Sequence, residues 1–143
     1  MRIEEDMKLD YKDVLIRPKR STLGSRKDVD LERGFTFRNY KGPRPMHRHY
    51  RGTPIMASNM DGVGTFEMAD ILATGGIFTC LVKTYSIKEL VDYFDQDDRS
   101  HDPARTEYVA MSIGITDADH EKFRIVYEQV NDRLKYVCID VAN

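Results

Sequence analysis

The chain has 143 residues, enough for one domain with its own core. Hydrophobic residues make up 41% and charged residues 32%, which excludes a disordered chain. A net charge of −2 and a pI near 6.1 lack the basic excess of a dedicated nucleic-acid binder, and no run of about 18 apolar residues marks a membrane span. The opening MRIEEDMKLD is too polar for a signal peptide. The two cysteines, Cys80 and Cys138, lie in apolar runs and form no CxxC pair. Together these features point to a reducing cytosol, so a cytoplasmic protein is expected.

Residues 1–52 are charge-rich and read as an N-terminal arm and loop. Two short apolar pieces, Val14-Leu15-Ile16 and Phe35-Thr36-Phe37, offer one or two short strands there. The Gly and Pro content of Lys41 to Gly52 predicts a loop. From Thr53 onward strands and helices alternate. Ile55 to Ser58 is strand-like, and Thr65 to Thr74 places Phe66, Ala69 and Leu72 at helical spacing. Ile77 to Val82 is a second apolar run. Ser86 to Asp98 follows as a helix, opened by the capping-box spacing of Ser86 and Glu89. Tyr108 to Met111 is a third strand. Thr116 to Val130 is a third helix, with Phe123, Val126, Tyr127 and Val130 on one face. Lys135 to Val141 is a fourth strand.

Strands read as near-continuous apolar runs are those covered on both faces. The class is therefore α/β with a parallel sheet. Neither GxGxxG nor GxxxxGK[ST] follows the first of these strands, so the phosphate loops of Rossmann and P-loop folds are missing. Each strand instead ends in polar groups: Ser58, Asn59 and Asp61; Lys83 and Thr84; Ser112; Asp140 and Asn143. Parallel α/β folds bind ligands at this end. Loops are polar in any case, which accounts for Thr84 and Ser112. Lys83 and Asp140 sit at the edges of apolar runs, where an unpaired charge is costly. A closed barrel needs eight such strands; four can form an open sheet, but the last has no following helix and the edges would be apolar and unprotected, so the chain is expected to be a fragment of a longer one.

The segments KLDYKDVLIRPKRSTLGSRKDVDLER, FTFRNY, ASNMDGVGTFEMADIL and CIDVAN resemble, in the same order, the GMP reductases, relatives of the IMP dehydrogenases. The arm and the Asn-Met-Asp after the first strand resemble the reductase branch. The resemblance implies a parallel (β/α)8 TIM barrel, of which this chain supplies the N-terminal arm and about the first four strands, residues 53–143 being its first half. It implies a homo-oligomer, expected as a tetramer. The implied reaction is NADPH-dependent reductive deamination of GMP to IMP and ammonia, in purine nucleotide salvage. A cysteine attacks purine carbon 2, ammonia leaves, and hydride from NADPH resolves the thioimidate.

By position, Ser25 and Arg26 match arm residues that reach NADPH bound to a neighbouring subunit. Lys83, Asp140, Val141 and Ala142 match cofactor-binding positions. Ser58 and Met60 sit where the family lines the nucleotide pocket. The nucleophilic cysteine, a monovalent-cation (potassium) loop and the GMP-phosphate loops are expected beyond Asn143. On this reading the 143-residue chain alone is inactive. No metal, nucleic acid or membrane partner is implied. The sequence departs from the family pattern at Gly62, at Val82 and Thr84, and at Ile113. Its Lys41–Gly52 loop is longer and carries His47 and His49, a metal pair without an evident third ligand. Cys80 and Cys138 read as core thiols. The alternatives are an IMP dehydrogenase-like oxidoreductase and a non-catalytic nucleotide-binding half-barrel.

Overall fold

The computed structural model describes residues 6–39, 41, 49–95 and 105–141. The chain divides into two compact units, Met1–Asp30 and Leu31–Asn143. The first has two single-turn 3-10 segments, Tyr11–Asp13 and Arg26–Asp28, each closed by a reciprocal cap from Asp10 with Asp13 and from Ser25 with Asp28. Neither turn contains a buried residue. Val14, Leu15 and Ile16 are exposed and form no strand, because none of the described residues pairs with them.

The second unit holds β1 (Arg33–Thr36), β2 (His49–Ala57), α1 (Phe66–Ala73), β3 (Ile77–Cys80), α2 (Ile87–Asp95), β4 (Val109–Ile113), α3 (Asp117–Val130) and β5 (Tyr136–Ile139). The five strands form one sheet in the order β1-β2-β3-β4-β5. β1 runs antiparallel to β2, from Arg33 opposite Gly52 to Thr36 opposite His49. The rest pair in parallel: Thr53 with Ile77, Thr79 with Val109, and Ala110 through Ile113 with Tyr136 through Ile139. The β2–β3 register slips between Thr53 and Met56, where Pro54 has no N–H to give the ladder. A doubly wound sheet reverses its strand order at a switch point, whereas these parallel strands follow one another in sequence, as in an arc of a (β/α)8 barrel.

All three α-helices contribute to one core. Ala69 of α1, Leu90 and Phe94 of α2, and Val126 and Val130 of α3 pack with Leu81, Val109, Met111 and Ile113. The strand period of two sends Ala110 to the opposite face, where it packs with Phe78 and Cys80. There Tyr50, Phe78 and Tyr136 meet edge to face, with centroids 5.2 to 6.3 Å apart. They help line an apolar trough of about 470 Å³ that also takes in Ile55, Met56 and Cys138.

This second face is not covered as the apolar runs led us to expect. Ile55 and Met56, which line the trough, are each 60% exposed. Tyr127, expected in the core, is exposed and stacks on the partly buried Phe123. β2 also begins at His49, inside the expected loop, because its first four residues pair with β1. The C-terminal end of the helix expected to reach Asp98 lies outside the described residues. No helix among the described residues is long and apolar enough to cross a membrane.

Candidate functional site

Because β2 to β5 are parallel, their carboxyl ends share one edge. The β2–α1 turn folds back on itself: the Val63 and Gly64 amides donate to Met60 O at 3.0 and 2.9 Å. Gly64 O then accepts from Val82 N at 2.8 Å, tying this turn to the end of β3. At the centre of the edge stands Asp140. Its amide donates to Ile113 O of β4 at 2.9 Å. Its Oδ2 accepts from Asn59 Nδ2 at 2.9 Å and lies 3.4 Å from Lys83 Nζ, which also donates to Asp140 O at 3.3 Å. Residues that follow β2, β3 and β5 thus meet in one cluster.

The electrostatics follow from these contacts. The Asn59 amide, then the hydrogen bond and charge of Lys83, hold the Asp140 carboxyl below its usual range. The hydroxyl and amide of Thr116 hold Asp119, in the first turn of α3, low as well, with Gly114 and Lys83 as smaller contributors. Lys83 therefore sits in the field of two carboxylates. Its side chain remains 44% exposed, so it can exchange one anionic partner for another.

The other expected site residues are placed as follows. Ser58 is exposed, Met60 is 62% exposed and Val141 46% exposed, all along the same edge. Ala142 lies outside the described residues, as does His47. Ser25 and Arg26 belong to the first unit, where Ser25 Oγ accepts from Lys27 N at 3.2 Å. His49 shares a 3.1 Å hydrogen bond with Thr36 Oγ1, and among the described residues no group of three His, Cys, Asp or Glu side chains could hold a metal ion. Cys80 is buried in the trough wall, its Sγ 3.3 Å from Met56 Sδ, and burial pushes its thiol up to about 12.

Two of the departures have a structural basis. Gly62 has φ +74, a backbone setting that favours glycine over threonine. Ile113 is 6% exposed, and its side chain packs in the helix-side core. Its neighbour Ser112 is 3% exposed, and its Oγ has no hydrogen-bond partner among the described residues. Sequence reasoning did not single out Asn59 as a partner of Asp140. It also missed Lys122 of α3, whose Nζ donates to Lys83 O at 2.8 Å and Tyr85 O at 2.5 Å.

Comparison with known proteins bears on the family and the fold. The family model of the IMP dehydrogenase / GMP reductase domain matches residues 8–143. A GMP reductase of Shigella boydii serotype 18 is 49% identical over all 143 residues, which cover 38% of the relative's length. One of Klebsiella pneumoniae is 50% identical with the same coverage. The chain thus spans well under half the length of these curated relatives. Among solved structures, the inosine 5′-monophosphate dehydrogenase of Legionella pneumophila superposes with a TM-score of 0.59 at 24% identity, over 92% of this chain and 35% of that one. That likeness bears on the fold, a portion of a TIM barrel. With the family match covering nearly all of its residues, the chain belongs to the IMP dehydrogenase / GMP reductase family.

Proposed function

We propose that this chain forms the cofactor side of the active face of an NADPH-dependent GMP reductase, which converts GMP to IMP and ammonia in purine nucleotide salvage. The observation that carries the reading is the Lys83–Asp140–Asn59 cluster at the carboxyl edge. The reductase relatives at 49 to 50% identity supply the reaction. The edge fits a dinucleotide in two respects. Lys83 is a half-exposed cation able to leave Asp140 for a phosphate. Ser112 holds a buried hydroxyl with no partner among the described residues.

In this reading Lys83, Asp140, Val141 and Ala142 hold NADPH, with Ser25 and Arg26 reaching the cofactor of a neighbouring subunit in a tetramer. Ser58 and Met60 line the purine nucleotide. NADPH, when bound, supplies hydride. Asn59 holds the Asp140 carboxylate in place, and Asp140 orients the Lys83 ammonium along the edge. Cys80, buried and held protonated, does not serve as the nucleophile.

The test is Lys83→Ala in the full-length protein. Losing one charge-assisted hydrogen bond is expected to raise KM for NADPH by roughly tenfold or more. KM for GMP should change far less. An equal or larger effect on GMP would overturn the cofactor assignment.

A further inference from the structure

We propose that Lys122 is a positioning residue, which sets Lys83 by clamping the backbone of the loop that carries it. The proposal rests on the cofactor reading of Lys83 given above. Residues 81 to 86 leave β3 and enter α2. Three other parts of the unit hold this loop. Tyr85 stacks on Phe66 of α1 at 3.8 Å, and its hydroxyl accepts from Phe66 N at 3.2 Å. Lys83 reaches Asp140 beyond β5. Between these two anchors, Lys122 of α3 donates to the carbonyls of Lys83 and Tyr85, one on each side of Thr84.

An ammonium on a helix face ordinarily stays in water, with its stem lying over apolar surface. Lys122 does the opposite: it is half-buried, and burial lowers its pKa, with Asp119 and Glu89 partly offsetting that effect. Giving up water is costly for a charge unless hydrogen bonds replace it, and here two backbone carbonyls do. A compact ammonium suits two acceptors that converge on one point better than the planar fork of an arginine does. The bond to Lys83 O fixes the main chain from which the Lys83 side chain departs. Lys122 thereby selects the direction in which that cation points by way of the main chain.

The test compares Lys122→Met, Lys122→Arg, Lys83→Ala and the double variant Lys83→Ala/Lys122→Met in the full-length protein, with NADPH and GMP as substrates. Lys122→Met keeps the stem and removes the donors. It is expected to raise KM for NADPH roughly three- to tenfold, with KM for GMP little changed. Lys122→Arg, which keeps charge and donors, should lose less. If Lys122 acts through Lys83, the double variant is no worse than Lys83→Ala alone. Losses that multiply in the double variant would overturn the proposal. So would an unchanged KM for NADPH in Lys122→Met when Lys83→Ala raises it. Amide hydrogen exchange is the second readout, and faster exchange at 83–85 in Lys122→Met supports the clamp. If Lys83→Ala leaves NADPH unaffected, the cofactor reading fails, and the exchange result alone decides whether Lys122 holds the loop.

Discussion

Asp140 holds the edge together through its carboxylate, its amide and its carbonyl, and Asn59 is a close partner of the carboxylate. The Asn59 hydrogen bond is the largest influence on its ionisation, ahead of Lys83. An Asp held below its unfolded value contributes stability that is complete above about pH 4 and lost as pH falls through the depressed folded value. Replacing Asn59 with Leu removes the main cause, so the Asp140 midpoint should rise toward the ordinary range. Side-chain carboxyl NMR, titrated from neutral to acid, reads this directly. An unchanged midpoint would mean that Lys83 alone accounts for the shift. At this scale Lys83 and Asp140 were legible because each puts a charge at the end of an apolar run. Asn59 was visible as a polar residue, but its partner lies 81 positions away, a separation that no local pattern encodes. Lys122 left no trace in the sequence, since a lysine beside Phe123 on a helix looks like any solvated charge.

The alternation of strands and helices could be read from Thr53 onward because local apolar periodicity and the caps agree. Thr116 caps α3 through Asp119 as its spacing indicates, and Ser86 with Glu89 does the same at the start of α2. The start of β2 was missed for a non-local reason. His49 to Gly52 are held as a strand by Arg33 to Thr36, and the Gly and Pro content of Lys41 to Gly52 made the segment look like a loop. Gly52 is there because of a close approach. A Cβ on it would stand 2.5 Å from Gly76 O, 2.6 Å from Tyr50 Oη and 2.9 Å from Tyr108 Cε1. Gly52→Ala must therefore move the backbone of the turn before β3 or the Tyr50 and Tyr108 rings. It is expected to cost about 1–3 kcal/mol in a urea titration, the usual range for overpacking. No change in midpoint would show that the hairpin and the turn separate easily.

At the scale of the molecule, stability in the second unit comes from one side of the sheet. Phe94 and Leu81 are fully buried between the strands and the helices, whereas Ile55 and Met56 line the trough with most of their surface in water. The sequence could not distinguish these two faces, because both carry apolar residues and a strand that faces a barrel interior reads like one that faces a helix. Area and packing decide between them. Phe94→Ala empties a closed site and is expected to cost about 3–5 kcal/mol. Ile55→Ala removes a side chain that is 60% exposed, and its cost should stay below about 1 kcal/mol. The pair is best measured by urea unfolding of the 143-residue chain across a range of protein concentrations. A cost for Ile55→Ala comparable to that of Phe94→Ala would mean that the trough is covered in solution. If that cost grows with concentration, the cover is a second copy of the chain. If it does not, the cover comes from within the chain, and the one-sided account of stability fails.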